Sequence, residues 1–415
     1  MTLSKPTLFC KKKVMIVGMG YVGLSLFEHI KNTKKYNLIG FDVNQAVVLD
    51  MQNSIASDSE ISISFEHDKN LLEVADIYVI CVPTPLKNNK PSLEHVLDAA
   101  KTISKILKTG DLVVLESTCS PGTTQEILRP VLEESGLVAS RDFYLGFASE
   151  RVDPGNANFG IHNTAKVISG MCKNSSKEMT DFYSSFVESI YVTPGVREAE
   201  LSKLIENTYR QINMAFVNEL AKYCHVAGID VWESIRAAAT KPFGFEAFFP
   251  GPGVGGHCIP VDPMYLSDYF SQFNGKGLEL VNKAQEINSS MPGYILQRTL
   301  NYLPSFNLKA VSPRVLLIGV GYKSDTSDVR NSPFFEIYRG LAEEKVHVDV
   351  LDFALKSIDL DGKNISILGE LPNNINVYDL VVVLQHSRML SLETLGNSGV
   401  QIFDTRGIMD FANRL

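Results

Sequence analysis

No stretch of this 415-residue chain forms a long uncharged apolar run, so a membrane-spanning helix is not expected. Basic residues are not in excess: 39 Lys and Arg face 47 Asp and Glu, a net charge of −8. That balance argues against bulk binding to nucleic acid or to anionic membranes, which rely on basic surfaces. A small anionic ligand held by a few local cations stays open. The six cysteines (10, 81, 119, 172, 224, 258) contain no C-x-x-C pair and no metal-ligand spacing. Neither a disulfide framework nor a bound metal is expected, and a reducing cytoplasm suits such usage. His257 and Cys258, adjacent in sequence, do not make a metal pair. Lys11–Lys13 and the apolar run through Phe27 mimic a signal peptide. However, Gly18, Gly20 and Gly23 break the run, no Ala-x-Ala site follows, and it ends in Glu28-His29. With 45% hydrophobic and 21% charged residues, the composition is that of a soluble globular chain of two or three domains.

What is present is concentrated in a few segments. Gly251-Pro-Gly-Val-Gly-Gly-His-Cys258-Ile-Pro-Val-Asp262 sets one thiol at the end of a glycine-dense loop, four residues before a carboxylate. Gly253, Gly255 and Gly256 let the backbone approach a ligand closely. Most cysteines are small buried hydrophobes. A thiol in a polar, glycine-rich loop reads instead as a nucleophile. At the other end, Lys13-Val-Met-Ile-Val runs into Gly18-Met-Gly20-Tyr-Val-Gly23 and a helix. The first glycine permits the turn, the second admits a pyrophosphate, and the third lets helix and strand pack. A second strand ends in Asp42, which can accept from a ribose 2′-hydroxyl and repels a 2′-phosphate. These parts together point to NAD rather than NADP.

Alternating apolar runs and helical stretches from Lys13 to about Val192 predict a doubly wound parallel sheet. The expected strands are Val14–Val17, Leu38–Phe41, Ile77–Val82, Leu112–Leu115, Tyr144–Phe147, Lys166–Ser169 and Ile190–Val192. Turn-rich segments close three of them: Cys81-Val-Pro-Thr84-Pro85, Glu116-Ser-Thr118-Cys119-Ser-Pro121, and Ser149-Glu150-Arg151-Val-Asp153-Pro-Gly155. Any one could be plain turn chemistry. Three at the carboxyl edge of one sheet read as a site. From about Arg197 to Gly228 a single long helix is expected, with Glu200, Lys203, Asn207, Arg210 and Gln211 on one broad face. A solvated face is the usual explanation for such residues. Lys203 and Asn207 are one turn apart, so both could address one spot. Leu201, Leu204, Ile205, Ile212, Phe216 and Leu220 supply apolar positions. Helices continue to about Tyr302, and a helical stretch of this length is a natural dimerisation element. Val311-Ser-Pro313 opens a last region, where Arg314–Ile318 runs into Gly319-Val-Gly321-Tyr-Lys323 without the third fingerprint glycine. A helix follows over Ser332–Glu344, with strands at Val346–Leu351, Leu380–Leu384 and Gln401–Phe403. This is a Rossmann-like half without dinucleotide binding, in which Lys323 and Arg330 could grip phosphate.

Together these segments resemble the nucleotide-sugar (UDP-glucose/GDP-mannose type) dehydrogenase family over nearly the whole chain, in family order. The matching stretches include Gly18–Gly23, Cys81–Pro85, Glu116–Thr118, Glu198–Arg210, Gly253–Asp262, Gly319–Lys323 and Asp328–Pro333. The resemblance implies an α/β fold of two Rossmann-like doubly wound domains joined by a long central helix. The expected boundaries are 1–196 for the NAD-binding domain, 197–302 for a central dimerisation domain with the Cys loop, and 303–415 for a UDP-sugar domain. It implies a cytoplasmic homodimer using NAD, with a UDP-sugar as partner. It also implies a four-electron oxidation of the sugar C6 alcohol, serving surface polysaccharide (capsule or O-antigen) synthesis. By family role, Cys258 forms a thiohemiacetal and then a thioester. Asp262 and Lys203 serve as acid/base and oxyanion stabiliser, Asn207 orients the oxygen, and Thr118 and Glu150 hold and activate water. The cofactor falls to Gly18, Gly20, Tyr21, Val22, Gly23, Asp42, Thr84 and Thr118, and the substrate to Arg151, Lys203, Asn207, Arg210, Gly255, Lys323 and Arg330. Ser149 stands where the family usually has Pro before the catalytic Glu. Glu150–Asn156 and Thr240–Pro250 resemble the branch acting on UDP-N-acetylglucosamine. UDP-N-acetylmannosamine and UDP-glucose are the rival substrates. A one-step oxidoreductase and a non-catalytic nucleotide-sugar sensor are the rival functions, and neither has a use for Cys258.

Overall fold

A computed structural model describes residues 11–55, 58–151, 158–303, 312–410 and 413–415. Cys10, Val311 and the Val152–Asn156 part of the third strand-end turn lie outside them. Contacts divide the chain into two compact units, Met1–Glu206 and Asn207–Leu415.

The first unit runs β1 (Lys13–Val17), α1 (Tyr21–Thr33), β2 (Asn37–Phe41), α2 (Gln45–Ser54), β3 (Ile63–Glu66) and β4 (Ile77–Ile80). The short hairpin β5 (Leu86–Lys87) and β6 (Lys90–Pro91) comes next, then α3 (Glu94–Ser104) and β7 (Leu112–Leu115). A π-helical turn over Thr123–Leu128 leads into α4 (Arg129–Glu133), β8 (Tyr144–Ala148), β9 (Lys166–Gly170), α5 (Lys173–Tyr183) and β10 (Ile190–Val192). The strands form one sheet in the order β10-β9-β8-β7-β4-β1-β2-β3. Its central strands are buried throughout because helices cover both faces. Met15, Val17, Tyr78 and Ile80 feed the core on one face, and Val14, Ile16, Ile77 and Val79 the core on the other.

One expectation needs correction. The sheet is not parallel throughout, because β9 pairs antiparallel with β8, Phe147 opposite Ser169. Apolar runs reveal that a strand exists but carry no information on its direction. Strand β3 was not foreseen, and its half-exposed alternation explains why.

The second unit holds most of α6 (Val196–Ala227), then α7 (Val231–Ala239), α8 (Asp262–Asn274), α9 (Glu279–Ser289) and α10 (Met291–Tyr302). The second sheet comprises β11 (Arg314–Ile318), β12 (His347–Leu351), β15 (Leu380–Val383), β16 (Ile402–Asp404) and β17 (Asn413–Arg414). Around it lie α11 (Phe334–Glu343), the hairpin β13 (Ser357–Leu360) and β14 (Lys363–Ser366), and α12 (Leu392–Gly396). The order is β12-β11-β15-β16-β17, all parallel. The fold is thus α/β, with two Rossmann-like sheets and a long intervening helix.

Helix α6 reverses the usual placement of charge. Glu200, Lys203, Asn207 and Gln211 are buried, whereas Ile205 and Phe216 are 54% and 58% exposed. The broad polar face is thus turned inward except at Arg210, which is exposed. Among the described residues no helix is long and apolar enough to cross a membrane.

Candidate functional site

The first unit presents the dinucleotide fingerprint as expected. Gly18 has φ +94, and a Cβ there would lie 2.8 Å from the Cys81 carbonyl oxygen. At Gly23 a Cβ would lie 1.9 Å from the Gly18 oxygen, so α1 packs on its own turn. Gly20 differs: among the described residues a Cβ would meet nothing within 4 Å. No protein contact demands glycine there, and its hydrogen keeps the N-terminus of α1 open for a pyrophosphate. Asp42, at the end of β2, accepts from the Met19 amide (2.9 Å) and the Asn44 amide (2.9 Å). It borders a cavity of about 220 Å³ with Gly18, Phe41, Val82 and Pro83. Thr84 is buried, Thr118 and Val22 are half-buried and Tyr21 is exposed. These features fit NAD.

The carboxyl ends of β7 and β8 are tied to α6. Lys203 Nζ donates to the Glu150 carbonyl and lies 3.3 Å from its carboxylate, with both side chains buried. The Ser149 amide donates to the Val167 carbonyl (2.9 Å), a bond the usual proline could not make. Arg151 is held by Glu206 (2.8 Å) and by the Ala165 carbonyl, so its guanidinium is braced within this unit. Glu200, one turn before Lys203, accepts from the Gly122 and Thr124 amides at 2.6 and 2.8 Å. Burial pushes its carboxyl above the ordinary range despite those bonds. Behind the Glu116-Ser-Thr118 turn, Glu116 pairs with Lys166 (2.7 Å) and accepts from the Tyr183 hydroxyl, all buried. Burial and the Glu116 charge push the neighbouring Cys81 thiol well up, which keeps it inert.

In the second unit Cys258 is exposed, unlike the buried Cys81, Cys119 and Cys224. Its carbonyl accepts from the Asp262 amide (2.8 Å), closing the turn that starts α8. Asp262 is 1% exposed and its carboxylate accepts from Asn207 Nδ2 at 2.6 Å. His257 is pushed below its usual value by burial and then by the Arg330 charge. Arg330 forks onto Asp328 through Nε and Nη2 (2.9 and 2.6 Å). Burial opposes ionisation of Asp328, but the Arg330 bonds prevail and its pKa is lowered. Lys323 borders a cavity of about 220 Å³ with Asp352, Gln385 and His386, at the carboxyl edge of the second sheet. Arg210 is exposed and enters none of these contacts.

Two residues escaped the sequence reading. Asp352, following β12, accepts from the Val320 and Ala354 amides (both 2.8 Å). The strand-end acid that singled out Asp42 is the signal that could have found it. Arg406 lies beneath Gly251, where a Cβ would sit 2.7 Å from Nη1, and burial pushes its pKa down to about 10. No motif marked it.

Comparison with known proteins decides the family. Its NAD binding domain matches residues 12–187, its central domain 197–290 and its UDP binding domain 316–411. The chain belongs to the UDP-glucose/GDP-mannose dehydrogenase family. It is NAD-dependent by the first of those domains, and the open Gly20 turn agrees with this. It is 35% identical over 352 residues to a UDP-N-acetyl-D-glucosamine 6-dehydrogenase of Pseudomonas aeruginosa, covering 82% of each chain. It is 33% identical over 389 residues to a UDP-N-acetyl-D-mannosamine dehydrogenase of Methanococcus vannielii, covering 90% of this chain and 86% of that one. The solved structure of a UDP-D-ManNAc dehydrogenase from Pyrococcus horikoshii superposes with TM-score 0.81 at 28% identity, covering 96% of both chains.

Proposed function

We propose that this family member oxidises the C6 hydroxyl of a UDP-N-acetylhexosamine to the carboxylate, with UDP-N-acetylglucosamine preferred. The observation that carries the reading is the exposed Cys258, whose carbonyl accepts from the amide of Asp262, the buried acid held by Asn207. A nucleotide-sugar sensor would have no use for such a thiol.

Held at the Gly18–Gly23 turn and by Asp42, NAD+ would supply the hydride acceptor for each of two oxidations. Between them, the Cys258 sulfur adds to the C6 aldehyde carbon, the thiol proton is lost and the aldehyde oxygen is protonated. The resulting thiohemiacetal keeps the intermediate bound and its C–H aligned for the second oxidation. That oxidation leaves a thioester. Water then adds to its carbonyl carbon and the thiolate departs, giving the acid. Asp262 takes and returns the hydroxyl proton, with Asn207 fixing its carboxylate. Lys203 offers positive charge to the alkoxide as it develops. Glu150 and Thr118 hold the hydrolytic water, Glu150 as its base. Lys323 and Arg330 take the diphosphate, with the Gly255 backbone, packed against Tyr322 and Asn331, beside the substrate.

Preference for the gluco epimer rests on the Thr240–Pro250 segment and on the Pseudomonas relative's name, while the Methanococcus relative's name supports the manno alternative. Kinetics decide it: kcat/KM for UDP-N-acetylglucosamine is expected to exceed that for UDP-N-acetylmannosamine and UDP-glucose. A preference for either rival overturns the substrate assignment, and NADH formation with none of them overturns the reaction class. Tyr209, Phe216, Tyr223 and Val226 expose apolar surface along α6, which supports a homodimer through this helix. Sedimentation at micromolar concentration tests that, and a monomer there contradicts it.

A further inference from the structure

The loop that carries Cys258 is docked on the segment that carries Lys323 and Arg330. The Gly256 amide donates to the Arg330 carbonyl at 2.8 Å, and Asn331 Nδ2 donates to the Gly256 carbonyl at 3.0 Å. Both backbone polar groups of Gly256, two residues before the thiol, are thus committed to Arg330 and Asn331. The surfaces between them are closed. A Cβ on Gly255 would lie 2.6 Å from Tyr322 Cβ and 2.8 Å from the Asn331 oxygen, and one on Gly256 would lie 2.8 Å from the Tyr322 ring. At Gly253 the neighbour is Pro333, 3.1 Å away. Asn331 has φ 51, a left-handed conformation that asparagine tolerates better than most residues. Its amide faces Gly256 because its backbone is turned in this way.

Arg330 therefore acts in two directions. Its guanidinium, oriented by Asp328, is the group assigned to the diphosphate in the proposed function, while its carbonyl holds the nucleophile's loop. A ligand that fixes the Lys323–Arg330 segment fixes the footing of Cys258 as well. We propose that Asn331 is a positioning residue that couples nucleotide occupancy at Lys323 and Arg330 to the placement of the Cys258 thiol. This rests on the reading of Cys258 as nucleophile and of the two cations as the diphosphate site. Its consequence is economy of reactivity: the thiol is aligned when a nucleotide is seated and less well aligned otherwise.

The test is the rate of iodoacetamide alkylation at Cys258, followed by mass spectrometry of its peptide in the full chain, with and without saturating UDP. Asn331→Gly keeps the left-handed backbone and removes the amide. Asn331→Asp keeps the shape and replaces the donor by an acceptor. In the unmodified protein UDP is expected to change the alkylation rate by about fivefold or more, a usual size for coupling between sites. In both variants that ratio should fall to about one, and kcat should fall about tenfold with both KM values within about twofold, the loss of one hydrogen bond at the nucleophile's support. UDP saturation is confirmed for each protein by titration, so weaker binding is not mistaken for lost coupling. An unchanged UDP effect in both variants overturns the proposal, as does the absence of any UDP effect in the unmodified protein. If the unmodified protein yields NADH from UDP-sugars in either case, the functional reading survives. If it yields none, that reading fails on its own evidence.

Discussion

The two sheets open in the same way and then diverge. In each, a first strand ends in a positive-φ glycine (Gly18, Gly319) and the acid after the neighbouring strand accepts the next backbone amide. Asp42 takes Met19 N–H and Asp352 takes Val320 N–H. After Gly20 the chain enters α1 at once, whereas after Gly321 no helix starts until Phe334. The third fingerprint position differs in the same sense. Gly23 is forced by contact with Gly18, while its counterpart, Ser324, simply bonds to Gln385. A helix terminus offers a phosphate its backbone amides. A loop has no aligned dipole, so an anion there leans more on side-chain cations, the part proposed for Lys323 and Arg330. On the proposed assignment one architecture serves two ways of holding a diphosphate, and the choice turns on whether a helix or a loop comes after the second glycine.

The contrast is most exposed at the third position. Gly23→Ala should cost about 3 kcal/mol or more through the clash with the Gly18 oxygen, roughly 6–12 °C in Tm by calorimetry, with NAD+ binding lost in step. Ser324→Gly should change neither by a measurable amount. Equal effects at the two positions would break the comparison. Next come the cations. Arg330→Ala and Lys323→Ala should each weaken UDP about tenfold to a hundredfold by titration calorimetry, more at low salt, and leave the KM for NAD+ alone. An unchanged UDP affinity would mean that the second sheet does not hold the anion by side chains. Smaller again, Asp42→Ala should weaken NAD+ about tenfold, about 1.4 kcal/mol, and narrow the gap to NADP+. Equal use of both cofactors by the unmodified protein contradicts that assignment. The smallest effect concerns pH. His257 has a lowered pKa in the folded chain, so below about 6.5 the unfolded chain binds the proton first and stability falls. Tm should drop more between pH 7.5 and 5.5 for the unmodified protein than for His257→Gln. A parallel drop in both would remove His257 from the account.

The first sheet's central strands and the Gly18–Gly23 turn were legible because a fully buried strand reads as a continuous apolar run and two of the turn's glycines, Gly18 and Gly23, are forced by sterics. The Cys258 loop was legible for the same reason, since three of its glycines meet Tyr322, Asn331 or Pro333. What was not legible depended on partners distant in sequence. The inward turn of Glu200 is set by amides some 75 residues earlier, at Gly122 and Thr124. A helical wheel reports that polar residues share a face but not which face is inside. Strand direction at β9 was hidden for a related reason, because pairing is a tertiary choice. The bracing of Arg151, expected at the substrate from its place in a motif, was hidden in the same way, because its partners Glu206 and Ala165 are set by the fold.

The central claim is that Cys258 carries the second oxidation covalently. NADH released per sugar acid formed, with intact-mass analysis of the protein during turnover, tests it most directly. The account predicts two NADH per acid, a mass increase on the unmodified chain equal to the sugar nucleotide less the hydrogens lost in its oxidation, and turnover in Cys258→Ala reduced by at least about a thousandfold. Undiminished turnover in Cys258→Ala, or one NADH per product with the aldehyde released, would contradict it.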